Sequence, residues 1–478
     1  MGRTSMAHRP AFGAVRQAAS IGASKAALAA LRRTGRGGGT AAPGLVALQI
    51  DPDVVARIAE RLPDGTVVVA GTNGKTTTSR LIADIIEASG RQVIHNRSGS
   101  NLARGVAATF VEHASLSGEP HGQIAVIESD EAALPEILRL VKPRLIVLNN
   151  LFRDQLDRYG ELNAVGTRWK AAFSELPSST RLLVDVDDPT LATITADLDA
   201  PRTTFGLRAP EHKLEALPHA ADAAICRKCG AELSYRELYL GHLGDWHCVD
   251  CGYTRPRLDV TGSDVRLDGM SSLTMSIDGF DQAIQDVTVA VPGIYNAYNV
   301  TAAVAAGFAL GIEPGTIRVA LENFRSPFGR AERVSWQGRE LSIALVKNPV
   351  GFNEVLRTIT GGGSELAAPT LIVINDEFAD GRDVSWLWDV DFEMLSAGTL
   401  PIATAGIRGA DMANRLKYAG VDEARLIPLD GPIDQALTAF LERTKDSKEV
   451  SILPTYTAML AVRDALGNAG AVERFWEE

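Results

Sequence analysis

The sequence predicts an α/β protein: a central P-loop ATPase domain on a parallel sheet, interrupted by a four-cysteine ribbon and followed by a smaller C-terminal α/β domain. Three observations carry this. A β-branched run, Val67-Val-Val-Ala70, enters a Gly-rich turn and then a helical pattern, Ser79-Arg-Leu-Ile-Ala-Asp-Ile-Ile86. Further apolar runs, Ile124–Glu128, Leu145–Asn150 and Arg181–Asp185, end in polar residues, as strands do when they meet a site at the carboxyl edge of a sheet. Two Cys-x-x-Cys pairs interrupt that rhythm, and the α/β pattern restarts near Phe328-Gly329-Arg330. The domain expectation is therefore an N-terminal arm and connector over 1–50, a central domain over 51–328 with a ribbon at about 222–256, and a C-terminal domain over 329–478.

Residues 1–40 hold Arg3, Arg9, Arg16, Lys25, Arg32, Arg33 and Arg36 and no acid; the first acid is Asp51. Such an arm either docks on the protein or touches anionic headgroups. Its apolar stretch, Ala26–Leu31, is too short for a signal core and is followed, not preceded, by Arg32-Arg33. With no run of eighteen uninterrupted apolar residues, nothing is expected to span a membrane, and the cytoplasm, with peripheral contact at the inner face of the membrane left open, is the expected location. A net charge of −11 argues against a nucleic-acid binder. Residues 41–66 read as a connector closing in the turn Pro63-Asp64-Gly65.

In Gly71-Thr72-Asn73-Gly74-Lys75-Thr76-Thr77, backbone N–H groups and a helix N-terminus can cradle a polyphosphate, Lys75 can neutralise its end and the Thr76 hydroxyl can hold Mg²⁺. A strict phosphate loop would have Gly where Val69 stands. ATP is the expected ligand. Glu128, closing its strand, is either a strand-end carboxylate or a metal ligand.

Cys226-x-x-Cys229 and Cys248-x-x-Cys251 are eighteen residues apart, and Gly230 and Gly252 follow the second Cys of each pair. The spacing is that of a structural zinc ribbon; disulfides and a redox pair are the competing readings. These are the chain's four cysteines. With all of them on zinc, a thiol nucleophile has to come from another protein. The stretch from about 209 to 290, which includes the alternating run Leu273–Ile277, reads as an inserted β-rich piece, and Asn299–Leu310 as a helix. Leu371–Ile374 and Val450–Leu453 read as strands of the second domain.

Taken together the motifs resemble the Mur ligase superfamily. Besides the phosphate loop and Glu128, Asn149-Asn-Leu-Phe-Arg-Asp-Gln-Leu-Asp-Arg-Tyr-Gly160 is similar to a superfamily segment, with Gln155 in place of a magnesium-binding His. Val184-Asp-Val-Asp-Asp-Pro189 resembles Asn-x-Asp-Asp-Pro, and Gly293-Ile-Tyr-Asn-Ala-Tyr-Asn299 resembles Gly-x-His-Asn-x-x-Asn. Gly329-Arg330-x-Glu332 resembles the hinge. The ribbon, the missing uridine-nucleotide domain, Lys347-Asn-Pro349 and the segments Leu345–Val355 and Asn375–Asp389 resemble one branch, the MurT-type synthetase subunits of lipid II isoglutaminyl synthase.

The resemblance implies ATP-dependent amidation of the D-glutamate α-carboxyl in the lipid II stem peptide, through an acyl-phosphate, with ammonia from a GatD-type glutaminase. It implies that Asn296, Asn299 and Arg330 meet the nucleotide and that Lys170 sits where many members carry a carbamylated lysine near the magnesium site. It further implies that Asp383 completes the partner's Cys–His pair, with Asp376, Asp380 and Asp389 as rivals for that role. The implied cofactors are ATP, Mg²⁺ and Zn²⁺. An amino-acid-adding ligase and an ATP-responsive scaffold for a glutaminase are the alternative readings.

Overall fold

The computed structural model describes residues 9–33, 41–96, 100–153, 162–219, 221–325 and 330–472. Its N-terminal part is helical: α1 (Arg9–Arg33), α2 (Ala41–Ile50) and α3 (Val54–Ala59) precede the first strand. The connector expected at 41–66 is thus two docked helices. Pro43 reads as a breaker but falls in the first turn of α2, where its missing N–H costs no hydrogen bond. Gly44 is needed because α2 crosses another helix at backbone contact: a Cβ there would lie 1.6 Å from the Arg104 carbonyl oxygen. Ser20 and Ser24 of α1 donate to the carbonyls of Ala47 and Pro43 in α2. Three cations of the basic stretch are engaged with protein: Arg16 with the Ile50 carbonyl, Lys25 with that of Ala114 and Arg32 with Glu112.

The central sheet has nine strands in the order β11-β10-β9-β6-β5-β4-β1-β3-β2. They are β1 (Thr66–Ala70), β2 (Val93–His95), β3 (Ile124–Ser129), β4 (Leu145–Leu148), β5 (Arg181–Asp185), β6 (Arg202–Arg208), β9 (Val260–Asp268), β10 (Ser272–Gly279) and β11 (Gln282–Val289). From β2 to β9 neighbouring strands run parallel; β9, β10 and β11 pair antiparallel. Every residue of β1 is buried, as a strand covered on both faces requires. Val67 and Val69 face α4 (Lys75–Ala88) and the helix Ile294–Ala309; Val68 and Ala70 face α5 (Ala103–Glu112) and α6 (Leu134–Val141). Fully burying one such valine is worth about 1.5–3 kcal/mol.

The inserted piece is smaller than the 209–290 expected from the break in rhythm. Strands β9 to β11 continue the main sheet, their alternation being that of an antiparallel edge with one wet face. The insertion proper is a two-stranded hairpin, β7 (Ser234–Leu240) and β8 (Leu243–His247), flanked by the cysteine pairs.

A second sheet, β12-β13-β17-β14-β15-β16, begins at β12 (Arg330–Trp336) and continues with β13 (Arg339–Ala344), β14 (Thr370–Val373), β15 (Ile402–Ala405), β16 (Leu426–Pro428) and β17 (Glu449–Pro454). It encloses its own apolar clusters on its two faces.

Candidate nucleotide and metal sites

Register brings the site together. Val69 pairs with Glu128 across β1 and β3, and Ala70 pairs with Leu148 across β1 and β4. The phosphate loop, the acids after β3 and the amides after β4 therefore share one carboxyl edge. Gly71 (φ +149°) lets the loop pass Asn149 and Asn150: a Cβ would stand 3.0 Å from both the Asn149 Cβ and the Asn150 carbonyl oxygen. Gly74 (φ +79°) caps α4, and a Cβ there would lie 1.9 Å from Asn299 Oδ1. Asn73 N–H donates to Asn150 Oδ1 at 2.8 Å, and Thr72 N–H to the Asn150 carbonyl at 3.0 Å.

Lys75 is buried; its Nζ donates to the carbonyls of Gly71 and Thr72 and meets Glu131 Oε2 at 2.9 Å. Burial pushes the Glu131 carboxyl up, but the charges of Lys75 and Lys347 outweigh it and hold the group below the ordinary value. Glu131 was not among the residues singled out from the sequence. The acids Asp130-Glu131, directly after the strand that ends in Glu128-Ser129, are the signal that could have drawn attention to it.

Glu128 is buried at the end of β3, and among the described residues its carboxylate meets Asn101 Nδ2 at 3.5 Å. Thr76 is half-buried in the first turn of α4. A buried carboxylate with one long neutral contact and a hydroxyl at a helix N-terminus suit a hard cation. Lys170 is exposed on the helix Leu162–Ser174; it is the adjacent Trp169 that turns inward, its Nε1 donating to the Glu131 carbonyl at 2.8 Å. Gln155 and Gly329 lie outside the described residues, and Arg330 opens β12.

Asn296 and Asn299 are buried in the helix Ile294–Ala309. Asn299 Oδ1 accepts from Thr78 Oγ1 at 3.2 Å, and its Nδ2 donates to Asn296 Oδ1 at 2.8 Å. Asn299 thus braces the turn into α4. Beside it opens a cavity of about 730 Å³, mouth included, lined by Gly74, Thr77, Tyr295 and Asn296 from the central unit, Leu240 from the ribbon hairpin, and Leu345, Lys347 and Glu354 from the second unit. Lys347 Nζ is 3.5 Å from the Thr72 carbonyl, and Asn348 Nδ2 donates to Asn73 Oδ1 at 2.9 Å. Two units therefore meet over the phosphate loop.

In the ribbon the four Sγ atoms lie within 4.8 Å of one another, with Cys226–Cys251 at 3.7 Å and Cys229–Cys248 at 3.4 Å. A tetrahedral ion with bonds of about 2.3 Å spaces sulfurs roughly 3.8 Å apart, so the set fits one. Gly230 and Gly252, both at positive φ, turn each knuckle. Without an ion the Cys248 thiol is drawn down to about 7, first by the N–H of Cys251, whereas the Cys229 and Cys251 thiols are raised, so an ion would have to displace their protons.

Asp383 is exposed; its carboxylate accepts the N–H of Ser385 at 2.8 Å, and hydrogen bonding to the Ser385 side chain, then to that N–H, lowers its pKa. Its rivals are occupied. Asp380 is buried on the N–H and hydroxyl of Thr457, Asp376 binds Arg408 at 2.8 Å, and Asp389 lies 3.7 Å from Arg153.

A phosphate loop on a parallel sheet, roofed by a second α/β unit, defines an ATP-dependent ligase of the Mur type. The family model for the Mur ligase middle domain matches residues 69–226, and that for the MurT ligase C-terminal region matches 345–459. The chain belongs to the MurT family. It is 33% identical to lipid II isoglutaminyl synthase (glutamine-hydrolyzing) subunit MurT of Streptococcus pneumoniae, over 93% of this chain and 95% of that one. Its identity to the Staphylococcus aureus subunit of the same name is 32%, over 95% and 99%. In fold it is similar to MurF from Acinetobacter baumannii, with a TM-score of 0.64 at 17% identity over 89% of this chain and 80% of that one. The Thermotoga maritima MurF ligase, solved with ADP, gives 0.59 at 14% identity over 86% and 81%.

Proposed function

We propose that this chain is the synthetase subunit of a lipid II isoglutaminyl synthase: it uses ATP to amidate the α-carboxyl of D-glutamate in the lipid II stem peptide, taking ammonia from a GatD-type glutaminase. The carrying observation is the pair of cations, Lys75 and Lys347, that two units bring to one phosphate loop. Spreading charge on a transferring phosphoryl group is stabilised mainly by positioned cations and N–H donors.

In this reading a carboxylate oxygen of the substrate bonds to the γ-phosphorus as the bond to ADP breaks. The ammonia nitrogen then bonds to the acyl carbon, phosphate leaves and the nitrogen loses a proton. Gly71 to Thr77 hold the phosphates; Lys75 moves from Glu131 to the terminal one. Asn296 lines the base pocket, Asn299 braces Gly74, and Arg330 at the start of β12 is the hinge residue. Mg²⁺ would be held by Thr76 and Glu128 and would supply further positive charge at the phosphoryl group. The second unit, from 329 onward, roofs the site and excludes water that would hydrolyse the acyl-phosphate. The ion of the ribbon is zinc, held by Cys226, Cys229, Cys248 and Cys251.

With the cysteines on zinc, the thiol that hydrolyses glutamine belongs to the partner. Asp383 would orient its His, and the exposed apolar side chains of the same unit, Phe378, Trp388, Ile407 and Tyr418, support docking on it. No helix among the described residues is long and apolar enough to cross a membrane. In this reading the chain works in the cytoplasm and meets its lipid-linked substrate at the inner face of the membrane.

The test mixes the chain with glutaminase, ATP, Mg²⁺, glutamine and lipid II. Amidation gives ADP and the small mass loss of exchanging hydroxyl for amine. Addition of an amino acid would give a large gain, and a scaffold no change; either result would refute the reading.

A further inference from the structure

The turn joining the two strands of the ribbon hairpin, Leu240-Gly241-His242, is buried although it is the tip of an insertion. Leu240 lines the nucleotide cavity. Gly241 (φ +55°) passes so close to Phe152 that a Cβ would stand 2.8 Å from its ring, and 3.5 Å from Val350 of the second unit. The His242 ring packs on Phe152 at 4.5 Å between centroids. Its Nδ1 accepts the Asp222 N–H at 3.3 Å, which turns Nε2 toward Asp188 Oδ2, 3.5 Å away.

Phe152 is itself tied to the phosphate loop. Its N–H donates to Thr72 Oγ1 at 3.0 Å, and that hydroxyl donates back to the Phe152 carbonyl at 3.1 Å. On the hairpin's other side Arg357, from the helix Pro349–Ile359, donates to the Tyr239 carbonyl at 2.9 Å. The hairpin is anchored toward its knuckles by Trp246, two residues before Cys248, whose Nε1 donates to the Val186 carbonyl at 3.0 Å, and by Arg255, which holds buried Asp187 at 2.7 Å.

We propose that the four-cysteine ribbon is part of the nucleotide-binding apparatus: the knuckles hold the hairpin turn against Phe152, and His242 is a positioning residue that fixes the phosphate loop through Phe152 and Thr72. A loop that binds phosphate with its N–H groups works only if those groups are already aimed, and Thr72 is the second residue of that loop. The hairpin braces it from outside the sheet. The inference rests on the nucleotide reading of the loop, and the experiment separates the two.

Full-length protein with its glutaminase is titrated with a non-hydrolysable ATP analogue and Mg²⁺ as wild type, as His242→Ala and as Phe152→Leu, with the metal content of each measured. The expected result is a loss of affinity of about tenfold in both variants, with metal retained, the loss of one well-packed ring contact near a binding loop. Amide exchange over residues 71–78 should rise, and KM for ATP should climb. A merely structural role would lower the folded fraction and hence the apparent kcat, leaving KM alone. Chelator-stripped wild type that keeps its far-ultraviolet circular dichroism should show the same weakened affinity, reversed by adding zinc. Unchanged affinity and exchange in the folded variant, or in the stripped protein should the variants not fold, overturns the proposal. A wild type that binds no analogue overturns the nucleotide reading instead.

Discussion

Lys75 Nζ and Glu131 Oε2 stand 2.9 Å apart, both side chains over nine-tenths buried, so the phosphate-loop lysine has a carboxylate counter-ion. Removing one partner of a buried pair leaves an uncompensated charge, at a cost of about 3–5 kcal/mol. Glu131→Gln should therefore lower the melting temperature of the ligand-free protein, and an ATP analogue should raise it by more than in wild type, because phosphate then supplies the counter-charge that the variant has lost. Calorimetry with and without analogue checks this. An equal or smaller ligand-induced rise in the variant would contradict it. Lys75→Ala should abolish amidation, and a retained rate would remove the loop from the mechanism.

Gly74 has no room for a methyl group beside Asn299 Oδ1 and sits at φ +79°, which L side chains rarely adopt. Gly74→Ala should displace Asn299 from Thr78 and weaken analogue binding by about 10²-fold while the second unit stays folded. Titration calorimetry reads it; binding within threefold of wild type would show that the bracing is dispensable.

Asp185 is fully buried with one oxygen lacking a hydrogen-bond partner. Burial, then the nearby charges of Asp187 and Asp188, raise its pKa well above the ordinary value. A carboxyl raised in the folded state contributes stability that is complete below the unfolded value and fades as pH climbs toward the folded one. The wild-type melting temperature should thus decline as pH rises from about 4 toward neutrality more steeply than that of Asp185→Asn, which carries the amide found at this place in the resembling motif. Parallel slopes in thermal scans would contradict this.

Asp383 is the exposed member of four candidate aspartates, the others being occupied within the chain. Asp383→Asn should stop glutamine-driven amidation and leave ammonia-driven amidation at its normal rate. A loss of both activities would place Asp383 in the synthetase site instead.

Cys226→Ser should lose the bound metal, measured by elemental analysis. A retained stoichiometric ion would show that the four sulfurs do not form one closed site.

The parallel sheet was legible because β1, β3, β4 and β5 are short apolar runs with their polar ends on one edge, a pattern fixed locally. The ribbon was legible because metal-ligand spacing is local too. The helices at 41–59 were hidden behind Pro43, a breaker that here falls in a first turn, and Gly44, whose role depends on α5, some sixty residues on. Long-range pairings were hidden for the same reason. Nothing near Lys75 in the sequence names Glu131, and nothing near Thr72 names Phe152 or His242. Lys170 illustrates the converse: its motif spacing drew attention, but the helix sends its neighbour Trp169 inward.

The central claim is that the chain makes a carboxyl group reactive by phosphorylating it. Lipid II carrying ¹⁸O in the D-glutamate α-carboxyl, turned over with glutaminase, glutamine and ATP, tests this directly by mass analysis of the released phosphate. The account predicts one ¹⁸O atom in each phosphate formed alongside an amidated product. Amidated product accompanied by unlabelled phosphate would contradict it.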